Sequence, residues 1–438
     1  MNRLLAEARK VADQAELYWE RVKTIDVLYR DYNLDRVSLT DLSSVSLRAI
    51  VGGRLGVSFG VSPKRQELVG EAAAAAAHGG SAGFDFAPSA DYPEVQNASD
   101  ATDGQTAPEL IDLCERIKER VQRERPDISL MIRADTQVRT LDVGTTCGAE
   151  ASHRATASSV GFGAPIKGAG TGIYKSASSV EPIHDLEPLI EEFLEWYGWT
   201  EAASAPRTGR MPVLLAPEAA FLFALPLCAG ISGAAVVRKT SPIFDRVDEP
   251  ILGDGLTVRD EPLRDGDPAS RPFDDEGVPC SPRCLVDRGV LRGLLVDQYA
   301  GAKLGAASTG NGYKRELFRS GTEVPIHTWP THLTIDAGTR SFRDMLSEME
   351  EGILLIGGMG FHSGNYPQGQ FAVQGIGFHV VRGRVVGRLE RTMVAGNIYQ
   401  DFLDADVSVE RREVDSLGGP ILTPYIRVDG LQVAGASA

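Results

Sequence analysis

Met211-Pro212-Val213-Leu214-Leu215-Ala216-Pro217-Glu218-Ala219-Ala220-Phe221-Leu222-Phe223-Ala224-Leu225-Pro226-Leu227-Cys228-Ala229-Gly230 is the stretch whose reading decides the fold. Residues 213–215 form a short apolar run of the kind that fits a buried strand. Pro217 and Glu218 then open a helix, because proline suits a position whose amide has no partner and a carboxylate suits the positive helix start. Residues 219–227 are apolar on every side, so this helix belongs inside the protein. Pro226 is expected to kink or end it, since proline removes one helical hydrogen bond and clashes one turn back. No side chain from Ala219 to Ala229 is an acid, a base or a hard metal ligand, and Cys228 is the one soft candidate.

Working outward, a chain of 438 residues is too long for one ordinary core, and two domains are expected. The formal charge of −15 opposes unaided binding to nucleic acid or to an anionic membrane surface. No segment has the ~18 consecutive apolar residues of a membrane span. The first residues carry no secretory pattern, and the 5 scattered cysteines fit a reducing cytoplasm. Cys280 and Cys284 are the only close pair and lack the second pair or histidine that a zinc site needs.

Toward the N-terminus, Leu4, Ala8, Val11, Ala15, Tyr18 and Val22 are spaced as an amphipathic helix. Ile25, Val27 and Tyr29 alternate as a strand. Val45 to Val51 and Leu55 to Phe59 flank Gly52-Gly53 as a hairpin. A helix is expected from Ser62-Pro63 through the alanines 72–77, then a long irregular loop over 79–106. A further helix buries Leu110, Cys114, Ile117 and Val121, strands follow over 128–163, and another helix covers 182–196. Gly168-Ala169-Gly170-Thr171-Gly172 is rejected as a phosphate cradle, because no helix start follows it. Toward the C-terminus strands dominate: 284–287 with 290–296, 333–335, 353–356, 371–381 and 384–389, with short helices at 299–304 and 342–349. The fold class is therefore α+β. An N-terminal antiparallel sheet with helices (1–200) and a linker (201–210) precede a curved or barrel-like, mostly antiparallel β domain with a buried helix (211–438).

Three ordered stretches carry a resemblance. They are Ser270-Arg271-Pro272-Phe273-Asp274-Asp275-Glu276-Gly277-Val278-Pro279, then His362-Ser363-Gly364-Asn365-Tyr366 before Gln374-Gly375-Ile376-Gly377-Phe378, then Met393-Val394-Ala395-Gly396-Asn397. This order resembles the TldD/PmbA family, and within it the PmbA (TldE) branch. The resemblance implies a zinc metallopeptidase in which a TldD-type subunit pairs with a TldE-type subunit. The catalytic chain carries His-Glu-x-x-x-His on the helix after the strand quoted first, plus a cysteine near its C-terminus. Two imidazoles one turn apart and a third ligand hold the metal, an open position activates water, and the glutamate serves as base.

Laid over this sequence, those positions fall at Leu225, Pro226 and Gly230. No histidine lies between His184 and His327, and no cysteine follows Cys284. The resemblance thus implies no catalytic residue and no metal in this chain, with zinc in a TldD-like partner of a heterodimer or larger hetero-oligomer. The substrate would be a peptide or an unusual amide, including one made during maturation of a natural product. His362, Ser363, Gly364, Asn365, Tyr366 and Gln374 are the candidate contacts to substrate or partner; the loop 357–370 is equally readable as a plain connection.

Other readings are weaker. His362 and His379 have no ligand spacing and read better as hydrogen-bonded histidines. Asp274, Asp275 and Glu276 read as a solvated turn capping amides rather than a cation site. Gly230-Ile231-Ser232-Gly233-Ala234 lacks the last glycine of a nucleophile elbow. A stand-alone protein-binding regulator, in line with the family's older description as a modulator of DNA gyrase, is the alternative from another class. An independent hydrolase using Ser232, Ser363 or a different metal site is the third.

Overall fold

The computed structural model describes residues 2–416 and 419–435, apart from the side chains of Ser363 and Ser416. Two sheets organise it. The first is a 6-stranded antiparallel sheet in the order β3-β2-β1-β4-β5-β6. Its strands are β1 (Gln14–Arg30), β2 (Asn33–Val51), β3 (Arg54–Gly60), β4 (Met131–Thr145), β5 (Glu150–Pro165) and β6 (Gly172–Ser179). The helices Glu67–Ala76, Ala107–Glu124 and Glu187–Gly198 cover it. Thr106 and Glu109 close a capping box at the start of the second, which buries Leu110, Cys114, Ile117 and Val121 as the spacing predicts.

The expected long first helix is corrected. Only Asn2–Ala8 is helical, and Ala15, Tyr18 and Val22 lie in β1. The run Leu17-Tyr18-Trp19 favours a pleated surface, and β2 pairs with β1 along its whole length and β4 from Glu16 onward. Tertiary pairing overrode a helical period that Val11, exposed in the structure, does not honour. Gly52 and Gly53 both adopt positive φ in the β2–β3 turn, as the hairpin requires. The glycine run at 168–172 leads into β6 and not into a helix.

Among the described residues the second sheet has 12 strands. Five of them close on themselves: Gln370–Val381 pairs with Glu351–Met359, that strand with Gly209–Leu215, and that with Gly419–Ala434. Met393–Asn397 then joins Gly419–Ala434 back to Gln370–Val381. The ring makes the domain barrel-like and removes the edges of these strands. Most pairings are antiparallel, but Gly209–Leu215 runs parallel to Glu351–Met359. The expected linker is part of this sheet, since Ala203–Ser204 pairs with Arg384–Leu389 and a strand begins at Gly209. Among the described residues no helix is long and apolar enough to cross a membrane.

The opening stretch explains how the two sheets are joined. Val213 and Leu215 face one core with Phe221, Leu222, Phe223 and Leu225. Leu214 and Ala216 face the opposite core with Val27, Phe162 and Trp196 of the first sheet and its helices. The helix Phe221–Gly230 is buried almost throughout and continues past Pro226, so the proline does not end it. Packing on every side, rather than its hydrogen-bond ladder, supports it.

Charge completes the junction. Arg48 of β2 donates to both oxygens of Glu16 in β1, at 2.8 and 2.5 Å, and to Glu276 of the second half at 3.0 Å. All three are essentially excluded from solvent. A second cluster places Lys175 of β6 2.7 Å from Glu192 and 2.8 Å from Glu218, with Arg412 bound to both carboxylates. Glu218 therefore serves an ion-pair network in addition to sitting in the turn Pro217–Ala219.

Arg48→Met is expected to leave Glu16 and Glu276 buried without a cation and to cost about 3–5 kcal/mol in urea unfolding. Neutralising all three with Glu16→Gln, Arg48→Met and Glu276→Gln together is expected to recover most of that loss.

Candidate functional site

The Asp274-Asp275-Glu276-Gly277 turn is the hub. Gly277 takes φ +74°, which closes the turn at no steric cost. Asp274 accepts from the amides of Glu276 and Val278 through one oxygen and from Gly312 N through the other. Asp275 accepts from Arg271 at 2.6 Å and from Lys314 N at 2.7 Å. Glu276 accepts from Arg48 and from Gln298 N. The expected amide capping is present, but the turn is buried and not solvated. Docking under the first sheet takes it out of water, an outcome that the local run of carboxylates cannot reveal.

Burial sets the acidity of these groups. It raises Asp274 well above the usual carboxylate range, with the charge of Glu276 adding to the effect. It raises Glu276 to about 7 against the pull of Arg48. Burial would also raise Asp275, but Arg271 and Arg139 outweigh it and hold this carboxyl below its ordinary value. The turn thus carries a firmly ionised centre between two groups that resist ionisation.

Beside the turn, a cavity of about 1040 Å³ opens between the two halves of the chain. Tyr18, Arg139, Arg271, Asp275, Lys314 and Arg315 line its inner wall. Arg139 is held by Glu20 at 2.5 Å and Arg271 by Asp275. Lys314 is buried, and its ammonium lies 5.4 Å from the centre of the Tyr18 ring. Burial, with the charge of Arg48 adding, holds its pKa down at about 8. Neither Lys314 nor Arg315 is notable in the sequence beyond two adjacent cations in a glycine- and asparagine-rich segment.

A third group stands on the same wall. His332 Nε2 lies 2.5 Å from Glu413 Oε1 and 3.1 Å from Asp267 Oδ2. The three donor atoms lie within 4.8 Å of one another, a set able to hold a divalent cation. Arg264 Nη1, however, lies 3.1 Å from each ring nitrogen and 3.4 Å from Asp267, so a positive charge already faces both carboxylates. The sequence gives no spacing signal for this group, because its members are more than 60 residues apart.

The residues singled out in the sequence fall elsewhere. Leu225, Pro226 and Gly230 are buried in the helix Phe221–Gly230. A Cβ on Gly230 would lie 1.9 Å from Tyr399 Oη, so no side chain fits there as packed. Cys228 is buried, and its thiol is pushed up to about 12 by desolvation. Leucine, proline and glycine carry no side-chain donor atom, and a histidine at 230 has no room as packed; these residues do not fit a zinc ion. Ser232 is the N-cap of Gly233–Arg238 and donates to Ala229 O, so its hydroxyl is committed. Its neighbour Gly233 packs so tightly that a Cβ would meet Ala300 at 2.6 Å. Cys280 donates to Gly310 O, and desolvation raises the thiols of both Cys280 and Cys284.

The expected loop 357–370 is shorter in the structure: residues 357–359 end the strand Glu351–Met359, Gln370 begins the next, and the remainder folds as two tight turns, Phe361–Ser363 and Tyr366–Gln368. Its Phe361 ring meets Phe221 of the central helix at 5.8 Å and Phe318 at the cavity rim at 5.7 Å. His362 is exposed, and Tyr366 donates its hydroxyl to Phe361 O. Gly364 and Asn365 link the two turns, while Gln374 lies in the barrel strand opposite Met359. The side chain of Ser363 lies outside the described residues. His379 is far from His362 in role: its Nδ1 is 2.8 Å from Ser204 Oγ.

Residues 208–435 match the model of the PmbA/TldA metallopeptidase C-terminal domain, and residues 15–78 match PmbA/TldA metallopeptidase domain 1. The chain belongs to the PmbA/TldD family. It is 30% identical over 251 residues to the metalloprotease PmbA of Escherichia coli O157:H7, covering 54% of this chain and 51% of that protein. It is 28% identical over 231 residues to a PmbA homolog of Buchnera aphidicola, covering 51% and 47%. The chain spans about half the length of the curated relatives it matches. In fold it is similar to TldE from Thermococcus kodakarensis, with TM-score 0.90 and 22% identity over 99% of this chain and 100% of that one.

Gly230→Ala is expected to cost about 1–3 kcal/mol through overpacking. Tyr399→Phe in the same background removes the colliding hydroxyl and restores most of it, as read by thermal unfolding of the two variants. For Lys314, the unfolded chain keeps its proton up to 10.5 whereas the folded protein releases it near 8. Between those values the unfolded state binds more protons, so this residue's penalty is complete below pH 8 and disappears as pH rises to 10.5. Lys314→Met is therefore expected to be more stable than the parent at pH 7, by up to about 3 kcal/mol, and to lose that advantage toward pH 10.5.

Proposed function

We propose that this chain is the non-catalytic, TldE-like subunit of a heteromeric zinc metallopeptidase. A TldD-like partner carries the metal, and this chain completes the substrate channel. The observation that carries the reading is the central helix. Where the resemblance puts the zinc ligands and base stand Leu225, Pro226 and Gly230, with Tyr399 closing the space beside the last. Such a helix contributes packing and no acid–base or Lewis-acid chemistry.

The surface supplies a place for the partner. Residues 33–44 of β2 pair with β1 on one side only, because β3 reaches no further than Val45. Leu34, Leu39 and Leu42 are exposed along that edge. An apolar, unpaired strand edge invites another chain. The loop bearing His362, Gly364, Asn365 and Tyr366 lies beside the central helix and would face the shared channel, with Gln374 behind it. The substrate is a peptide, or an unusual amide such as one cleaved in the maturation of a natural-product antibiotic, held through its backbone as an added strand. With a charge of −15, the chain is a partner for protein and not for nucleic acid.

The test is co-expression with a chain from the same genome that carries His-Glu-x-x-x-His. The two are expected to co-purify, with chelator-sensitive hydrolysis only in the complex. Leu39→Asp with Leu42→Asp should break the complex while leaving the unfolding midpoint of this chain within about 0.5 kcal/mol of the parent. Chelator-sensitive cleavage by this chain alone, or failure to associate, overturns the proposal.

A further inference from the structure

Lys314 is 3% exposed, and among the described residues its ammonium makes no hydrogen bond and no ion pair. The carboxylates around it are already committed. Asp275 takes Arg271 and the Lys314 amide, Glu276 takes Arg48 and the Gln298 amide, and Glu16 takes both arms of Arg48. Arg315, the next residue, is likewise without an ion pair among the described residues and lies over the Trp329 ring at 5.8 Å. Asp415 acts on it at longer range, and burial raises that carboxyl. Both cations line the cavity between the two halves of the chain.

A buried ammonium without a partner is costly, and an apolar residue of similar shape would be more stable there. A fold keeps such a group where it meets something that is not part of the chain. At about 1040 Å³ the cavity is large enough to admit a small ligand. Of the carboxylates on its walls, Glu20 pairs with Arg139, Asp275 with Arg271, and Asp267 and Glu413 with Arg264, while Asp415 has no ion pair among the described residues. The wall cations with no hydrogen bond or ion pair of their own among the described residues are Lys314, a compact ammonium that feels Glu16, Asp275 and Glu276 only at longer range, and Arg315, a planar fork suited to two oxygens.

We propose that this cavity binds a ligand bearing a carboxylate or phosphate oxyanion, with Lys314 and Arg315 as the two cations that recognise it. The proposal is independent of the subunit reading, because the whole cavity lies within this chain.

Titration calorimetry on the full chain distinguishes the sources of the oxyanion. The probes are inorganic phosphate, an acetylated tripeptide with a free C-terminal carboxylate, and the same tripeptide as its amide. At least one oxyanion is expected to bind and the amide is not. Lys314→Met should weaken that binding at least about tenfold, as loss of a charge-assisted contact does, without lowering the urea midpoint at pH 7. Arg315→Gln should weaken it about threefold to tenfold. Phosphate alone binding identifies a phosphate ligand; the free-carboxylate peptide alone identifies a peptide terminus. Equal affinity in the parent and Lys314→Met, or no heat with any probe at concentrations up to about 10 mM, overturns the proposal. Should the substituted chain not fold, reductive methylation of the parent gives the answer. The bound oxyanion must then slow labelling of Lys314 while the rate at Lys303 is unchanged, and equal rates at Lys314 with and without oxyanion refute the site.

Discussion

Residues 213–215 of the strand Gly209–Leu215 are buried on both faces, and the rest of the molecule follows from that constraint. Alternate side chains on a strand point to opposite sides, so Val213 and Leu215 enter the core of the barrel while Leu214 enters the core beneath the first sheet. One short segment therefore belongs to two hydrophobic cores at once. A shift of one residue in its register would exchange the two sets. Its pairing with a parallel strand on one side and an antiparallel strand on the other fixes that register from both directions.

Between the two halves the contact is apolar in part and ionic in part. The Glu16–Arg48–Glu276 and Lys175–Glu192–Glu218–Arg412 clusters both join elements from the two sheets. Buried ion pairs add little net stability compared with apolar contacts of the same volume, but leaving one member unpaired is severe. The arrangement thus penalises any wrong placement of one half on the other more than it strengthens the right one. The Asp274-Asp275-Glu276 turn shows the consequence, since its carboxyls titrate according to what docks above them and not according to their order in the chain.

The central helix and the cavity lie on opposite sides of the same functional question. The helix is filled with leucine, phenylalanine and alanine and closed by Tyr399 against Gly230, so it has no room for reagents. The cavity is open, charged and bordered by Phe318, whose contact with Phe361 links it to the loop beside the helix.

Elements governed by local signals were legible in the sequence. The buried run 213–215, the helix after it, the Gly52-Gly53 hairpin and the helix that buries Leu110, Cys114, Ile117 and Val121 all follow from periodicity and turn chemistry, which act over a few residues. The family order of motifs was legible too, because each motif is a contiguous string. The helix assigned to Ala15, Tyr18 and Val22 was not a strand by period; only pairing with β2 and β4 made it one. Burial of the acidic turn, the isolation of Lys314 and the meeting of Asp267, His332 and Glu413 depend on residues from distant parts of the chain. Sequence alone determined which residues could pack and turn, and that no histidine or carboxylate stands in the central helix. Tertiary structure alone decided which charges lost their water, because desolvation belongs to the assembled surroundings of a group and not to its neighbours along the chain.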